Sequence, residues 1–110
     1  MFTDSLSLAS REHRRVDLSR SVEWTDCFLA ERFLPRSASE TLERLVAADR
    51  AAARTMSMDV LRTIYVPDDE TFFTLLAAPT LDVVTQASNQ FHLEYGRILA
   101  AISIRSSVAG

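Results

Sequence analysis

Apolar and polar positions along this chain repeat with two different periods, and each change of period marks the boundary of an element. From Trp24 to Leu34 the run WTDCFLAERFL alternates with period two. Thr25, Cys27, Leu29, Glu31 and Phe33 share one face, and Trp24, Asp26, Phe28, Ala30, Arg32 and Leu34 share the other, because successive side chains of a strand point to opposite sides. Pro35 ends this strand. Ser37 and Glu40 then stand at capping-box spacing, and from there to about Thr55 the repeat is helical. Leu42, Leu45, Val46, Ala52, Ala53 and Met56 form one stripe, and Glu40, Glu43, Arg44, Arg50 and Arg54 lie opposite. Two runs rich in β-branched and aromatic residues follow, Arg62 to Val66 and Thr71 to Ala77. The Pro67-Asp68-Asp69-Glu70 segment between them reads as a turn, since proline fixes φ and aspartates bond back to nearby amides. A second helix opens at Pro79 or Thr80, carries Val83, Val84, Ala87 and Phe91, and stops before Gly96. The last strand, Ile98 to Arg105, sets Ile98, Ala100, Ile102 and Ile104 on one side.

The order β, α, β, β, α, β is the split βαβ arrangement, whose two crossovers place both helices on one face of a four-stranded antiparallel sheet. The expected fold is therefore α+β and ferredoxin-like. The helix-free face would carry Leu99, Ala101 and hairpin residues, too much apolar surface to leave in water, and pairing of two sheets into a homodimer is its simplest cover. Residues 1–22 mix Ser, Arg and acids without any period and are expected to be a disordered tail, too poor in apolar groups to offset the entropy of ordering. The domain is expected to span 23–106, with 107–110 as a C-terminal tail.

Composition narrows the function classes. A chain of 110 residues makes one domain, and a net charge of -3 gives no electrostatic basis for binding nucleic acid. A lone cysteine, Cys27, supplies neither an intrachain disulfide nor a multi-cysteine metal site, which fits a cytoplasmic location. No run is long and apolar enough for a membrane span, and the acids Asp4, Glu12 and Asp17 argue against a transit peptide. All basic residues are arginine, a bias expected of a GC-rich bacterial genome.

Three stretches, Phe28 to Pro35 (FLAERFLP), Tyr65 to Pro79 (YVPDDETFFTLLAAP) and Leu93 to Ile98 with its Arg97-Ile98 pair, resemble a small bacterial family of unknown function that includes a nickel-binding member with a ferredoxin-like fold of the dimeric α/β barrel type. The resemblance implies the same fold and a dimer. It does not carry the metal over. The family's third strand often has cysteines and a glutamate where this chain has Phe72, Thr74 and Ala77, and its metal-binding members have histidine where this chain has Ser88. One histidine in the domain, His92, is not a nickel site, so no metal or cofactor is expected.

The candidate ligand-binding residues are Glu31, Asp49, Tyr65 and His92. Asp49 falls on the apolar stripe of the first helix, where a carboxylate needs a partner or a ligand. A structural partner, an arginine or a backbone amide, is the favoured reading, and under it an apolar replacement such as Asp49→Leu is expected to improve burial. Glu31 is the best polar group for a pocket between sheet and helices, with Arg32 on the surface. Tyr65 could offer a hydroxyl, and His92 stands at the end of the second helix, where it would meet the negative end of the helix dipole. Cys27 reads as a small buried hydrophobe, and Asp68, Asp69 and Glu70 as a solvated turn. The reading that follows is a dimerising, small-ligand-binding domain rather than an enzyme. The alternatives are a small dimeric barrel enzyme of the monooxygenase or isomerase type, which needs Glu31, Asp49, Tyr65 and His92 around one cavity, and nickel binding, which lacks its ligands.

Overall fold

A computed structural model describes residues 14–17 and 22–106. Its strands are β1 (Arg14–Asp17), β2 (Val22–Phe33), β3 (Asp59–Val66), β4 (Thr71–Ala77) and β5 (Arg97–Ser106), and its helices are α1 (Leu42–Met56) and α2 (Leu81–Gln90). The sheet is antiparallel throughout. β2 is its central strand, with β5 along one edge and β4 along the other, and β3 lies outside β4. The order β5-β2-β4-β3 with two crossover helices is the ferredoxin-like fold that the hydrophobic periods predict.

β1 corrects the expected tail. Arg14–Asp17 pairs with Val22–Thr25, while Phe28–Phe33 pairs with β4. The first four residues of β2 also pair with β5, so β1 and β4 follow one another along the same edge of β2. Residues 1–13, 18–21 and 107–110, the rest of both expected tails, lie outside the described residues.

The first helix also begins differently. Arg36–Thr41 is a 3-10 segment, and neither it nor α1 has a side-chain cap, so the Ser37/Glu40 capping box does not form. Thr41 instead donates its hydroxyl to the Ala38 carbonyl at 2.8 Å. The segment is tied to the β3–β4 turn, with the Arg36 amide donating to Glu70 Oε2 at 2.8 Å and its guanidinium donating to Asp68. α1 closes on Ser57 in the left-handed region, φ 59°. α2 opens as expected on Thr80, whose hydroxyl accepts from the Val83 amide.

Residues paired across an antiparallel ladder share a face, and the register therefore sorts the sheet. Ala30, Thr74 and Ile98 face the helices, as do Phe28, Leu76 and Ala100. Ala30, Leu76, Ala52, Ala53, Val84, Ala87 and Leu93 form the core there. The small alanines on both layers let α1 and α2 approach the sheet closely. Leu29, Leu75 and Leu99, with Phe73 and Ile64, make up the helix-free face.

Candidate functional site

Asp49 lies on the inward stripe of α1 and is completely buried. Three donors converge on its carboxylate: an Arg32 amino group to Oδ2 at 2.6 Å, the Thr74 hydroxyl to Oδ2 at 2.8 Å, and the Tyr95 hydroxyl to Oδ1 at 2.9 Å. Each comes from a different element. Arg32 is on β2, Thr74 two pairs further along β4, and Tyr95 in the connection between α2 and β5.

Arg32 is the second member of the cluster and is only 6% exposed. Besides Asp49 it reaches the Leu93 carbonyl at 2.7 Å through its other amino group. Its guanidinium carbon lies 4.6 Å from the ring centre of Phe72 and 5.0 Å from that of Tyr95, so two aromatic faces replace the water it has lost. Its Nε–H is buried without a partner among the described residues. A buried charge is tolerated when it is paired and bonded, and here the carboxylate and both amino groups of the guanidinium meet that condition within the protein.

The cluster anchors a strained connection. His92 and Glu94 both have left-handed backbone angles, φ 55° and 60°, each costing about 1–2 kcal/mol for a residue with a side chain. The segment is held by the Leu93 amide on the Ser88 carbonyl (2.9 Å), the Tyr95 amide on Ser88 Oγ (3.2 Å) and the Gly96 amide on the Glu31 carbonyl (2.7 Å). Arg32 and Asp49 complete this clasp by taking Leu93 O and Tyr95 Oη. Burial, and then the neighbouring Asp49 carboxylate, hold the Tyr95 hydroxyl well above the ordinary tyrosine range. It therefore stays a donor to Asp49 at any physiological pH.

The other candidates lie elsewhere. Glu31 pairs with Arg97 and Phe73 on the helix-free face, and Arg32 is the residue that points at the helices, the reverse of the sequence reading. Tyr65 donates its hydroxyl to the Leu34 carbonyl at 2.7 Å, tying β3 to the end of β2. His92 is exposed, one residue past the C-cap of α2. Four surface grooves stand out, and Glu31 lines one of them while Asp49, Tyr65 and His92 line none. The structure thus does not gather the four residues around a common void.

Sequence reasoning missed Arg32, Thr74 and Tyr95. The one signal available was the alternation of β2, which puts Arg32 on the same face as Ala30 and Phe28. Cys27 is buried as expected, and burial pushes its thiol up from the ordinary value. Among the described residues no group of three or more His, Cys, Asp or Glu is placed to hold a metal ion, and no helix is long and apolar enough to cross a membrane.

The most apolar groove, about 320 Å³, is lined by Asp26, Cys27, Phe28, Ala78, Pro79 and Ala100 to Ile102. By the pairing register its floor is the helix-side surface of β2 and β5, at the end next to Pro79, ahead of the first turn of α2. Comparison with protein-family models, with curated proteins and with solved structures finds no match.

Proposed function

We propose that this chain is a non-catalytic domain that assembles with copies of itself through the helix-free face of its sheet, and that any small ligand it carries is apolar and sits in the groove beside Pro79 rather than between sheet and helices. The observation that supports this is the row Leu99–Leu29–Leu75 with Phe73 and Ile64 beside it, an apolar surface on which Ile64 is 46% and Phe33 70% exposed. Four strands about 4.8 Å apart, at ~3.3 Å per residue, present a face of roughly 500–700 Å². A standard interface takes about 800 Å² from each partner, so face-to-face stacking uses nearly the whole sheet.

The Asp49 cluster supports the non-catalytic half of the reading. Its acceptors are satisfied by Arg32, Thr74 and Tyr95, so the carboxylate is engaged within the protein rather than poised as a base for a substrate. A nickel site of the kind found in the resembled family has no ligand set to build on, and a cytoplasmic setting suits a chain with a free thiol.

Sedimentation velocity tests the interface. Phe73→Glu, or the milder Ile64→Glu at an already exposed position, is expected to halve the mass of the wild-type species while circular dichroism still reports a folded domain. A wild-type monomer at micromolar concentration, or variants with unchanged mass, would sink the proposal.

A further inference from the structure

β5 is an outer strand whose second edge is unpaired among the described residues. It bonds to β2 in an unbroken register from Glu31↔Arg97 to Val22↔Ser106. Such a row of free amides and carbonyls is a template for another strand, and natural edges are normally blunted by proline, lysine, a bulge or brevity. RILAAISIRS has no proline, lysine or bulge, and its charges, Arg97 and Arg105, stand near its two ends, leaving Ile98 to Ile104 uncharged. Its helix-side residues are also bare beyond the reach of the helices, with Ile102 57% and Ile104 66% exposed and Ala100 exposed between Ile98 and Ile102.

We infer that β5 pairs antiparallel with β5 of a second copy, joining two sheets into one continuous sheet. This interface is separate from the stacked face and does not depend on it. A two-fold axis normal to the sheet keeps the helices of both copies on the same side, and it fixes each register by the residue that meets itself. If Ala101 met itself, Arg97 would stand opposite the partner's Arg105, and like charges directly opposite destabilise a pair. If Ile102 meets itself, Ile98 to Ser106 pair without any such conflict. Ala100 then faces the partner's Ile104, a small residue against a large one, and Arg105 faces the partner's Leu99. Registers centred on Ala100 or Ser103 pair fewer residues. The occupant is thus a second copy, with Ile102 on the axis, and the two apolar grooves beside Pro79 come to lie on the same side of the joined sheet.

Cysteine cross-linking in a Cys27→Ser background tests both the contact and its register. Ile102→Cys is expected to form a disulfide-linked pair of chains under mild oxidation. Ala100→Cys is expected not to, because in this register the two positions are offset by roughly 13 Å along the strands, beyond the reach of a disulfide. Sedimentation provides the second measurement. Ile104→Glu alone is expected to halve the mass of the wild-type species, and adding Ala100→Arg is expected to restore it, because the new charges pair across the axis. An Ile102→Cys chain that stays monomeric on reducing-agent-free gels, or Ile104→Glu with wild-type mass, overturns the edge interface whatever else covers β5. The stacked face is judged separately by Phe73→Glu, which leaves the Ile102→Cys cross-link intact.

Discussion

Arg32 and Asp49, seventeen residues apart in sequence, meet at 2.6 Å with both side chains out of water. The pair changes what an apolar replacement at 49 does. Asp49→Leu leaves the Arg32 guanidinium buried and uncompensated, and breaking one side of a buried pair costs about 3–5 kcal/mol. Improved burial at 49 is therefore not the expected outcome. Replacing both partners, Arg32→Met with Asp49→Leu, is expected to recover most of that loss, since an apolar pair of similar volume needs no desolvation. Urea unfolding of the two single variants and the double variant checks this. A double variant no more stable than Asp49→Leu would show that the pair does more than balance charge.

Arg32→Lys is expected to be far from conservative. An ammonium keeps the charge but cannot bond Asp49 and the Leu93 carbonyl with a planar fork while lying over two rings. A loss of about 2 kcal/mol is expected, the scale of a hydrogen bond to a charged group. Faster amide exchange at Leu93 and Tyr95 than in α1 would locate the loss in the α2–β5 connection.

The Tyr95 hydroxyl gives the fold a sensitivity to alkali. Its folded pKa is raised, so the unfolded chain ionises first. The stabilisation is whole below the unfolded value of about 10 and falls as pH rises above it. Unfolding midpoints measured from pH 7 upward are expected to decline beyond that value in the wild type. Tyr95→Phe is expected to start about 1–3 kcal/mol lower at pH 7, because Asp49 loses a donor, and to decline less steeply.

Removing residues through Val22 is expected to lower the melting temperature, not leave it unchanged. The cut deletes all four β1–β2 register pairs and bares the edge of β2 at Glu23 to Thr25. A fall of about 4–8 °C corresponds to ~1 kcal/mol in a domain of this size. Calorimetry on a chain starting at Glu23 reads it directly.

The fold was legible because period carries it. Alternation in β2, the helical stripe from Leu42 to Met56, Thr80 as a cap and the Pro67 turn each report a local preference that the packed structure keeps. The site was less legible, because its members are joined by register rather than by proximity in sequence. Asp49 stood out as a carboxylate on an apolar stripe, and an arginine partner was among the expectations. Which arginine it was depended on which face of β2 meets the helices. Glu31 and Arg32 are adjacent, both faces of the strand are apolar, and period alone does not choose between them. Tyr95 was further out of reach, since the left-handed turns that aim it inward use no glycine or asparagine: His92 is only modestly suited to that conformation and Glu94 has no preference for it. β1 was missed because four residues of Arg-Arg-Val-Asp have no hydrophobic face and form a strand only by adding to an existing edge.

The placement of β2 between β4 and a strand from the far end of the chain sets the order of events during synthesis. Translation delivers β2 early, but the Leu93 carbonyl that takes Arg32 and the hydroxyl of Tyr95 come only with residues 93 and 95, and the full β5 edge only once Ser106 has been made. Until then the nascent chain holds a long strand with a bare edge and a cation without its full set of partners. The expected consequence is a domain that completes its folding only once β5 has been delivered, with the waiting intermediate a natural client for chaperones that bind exposed strands.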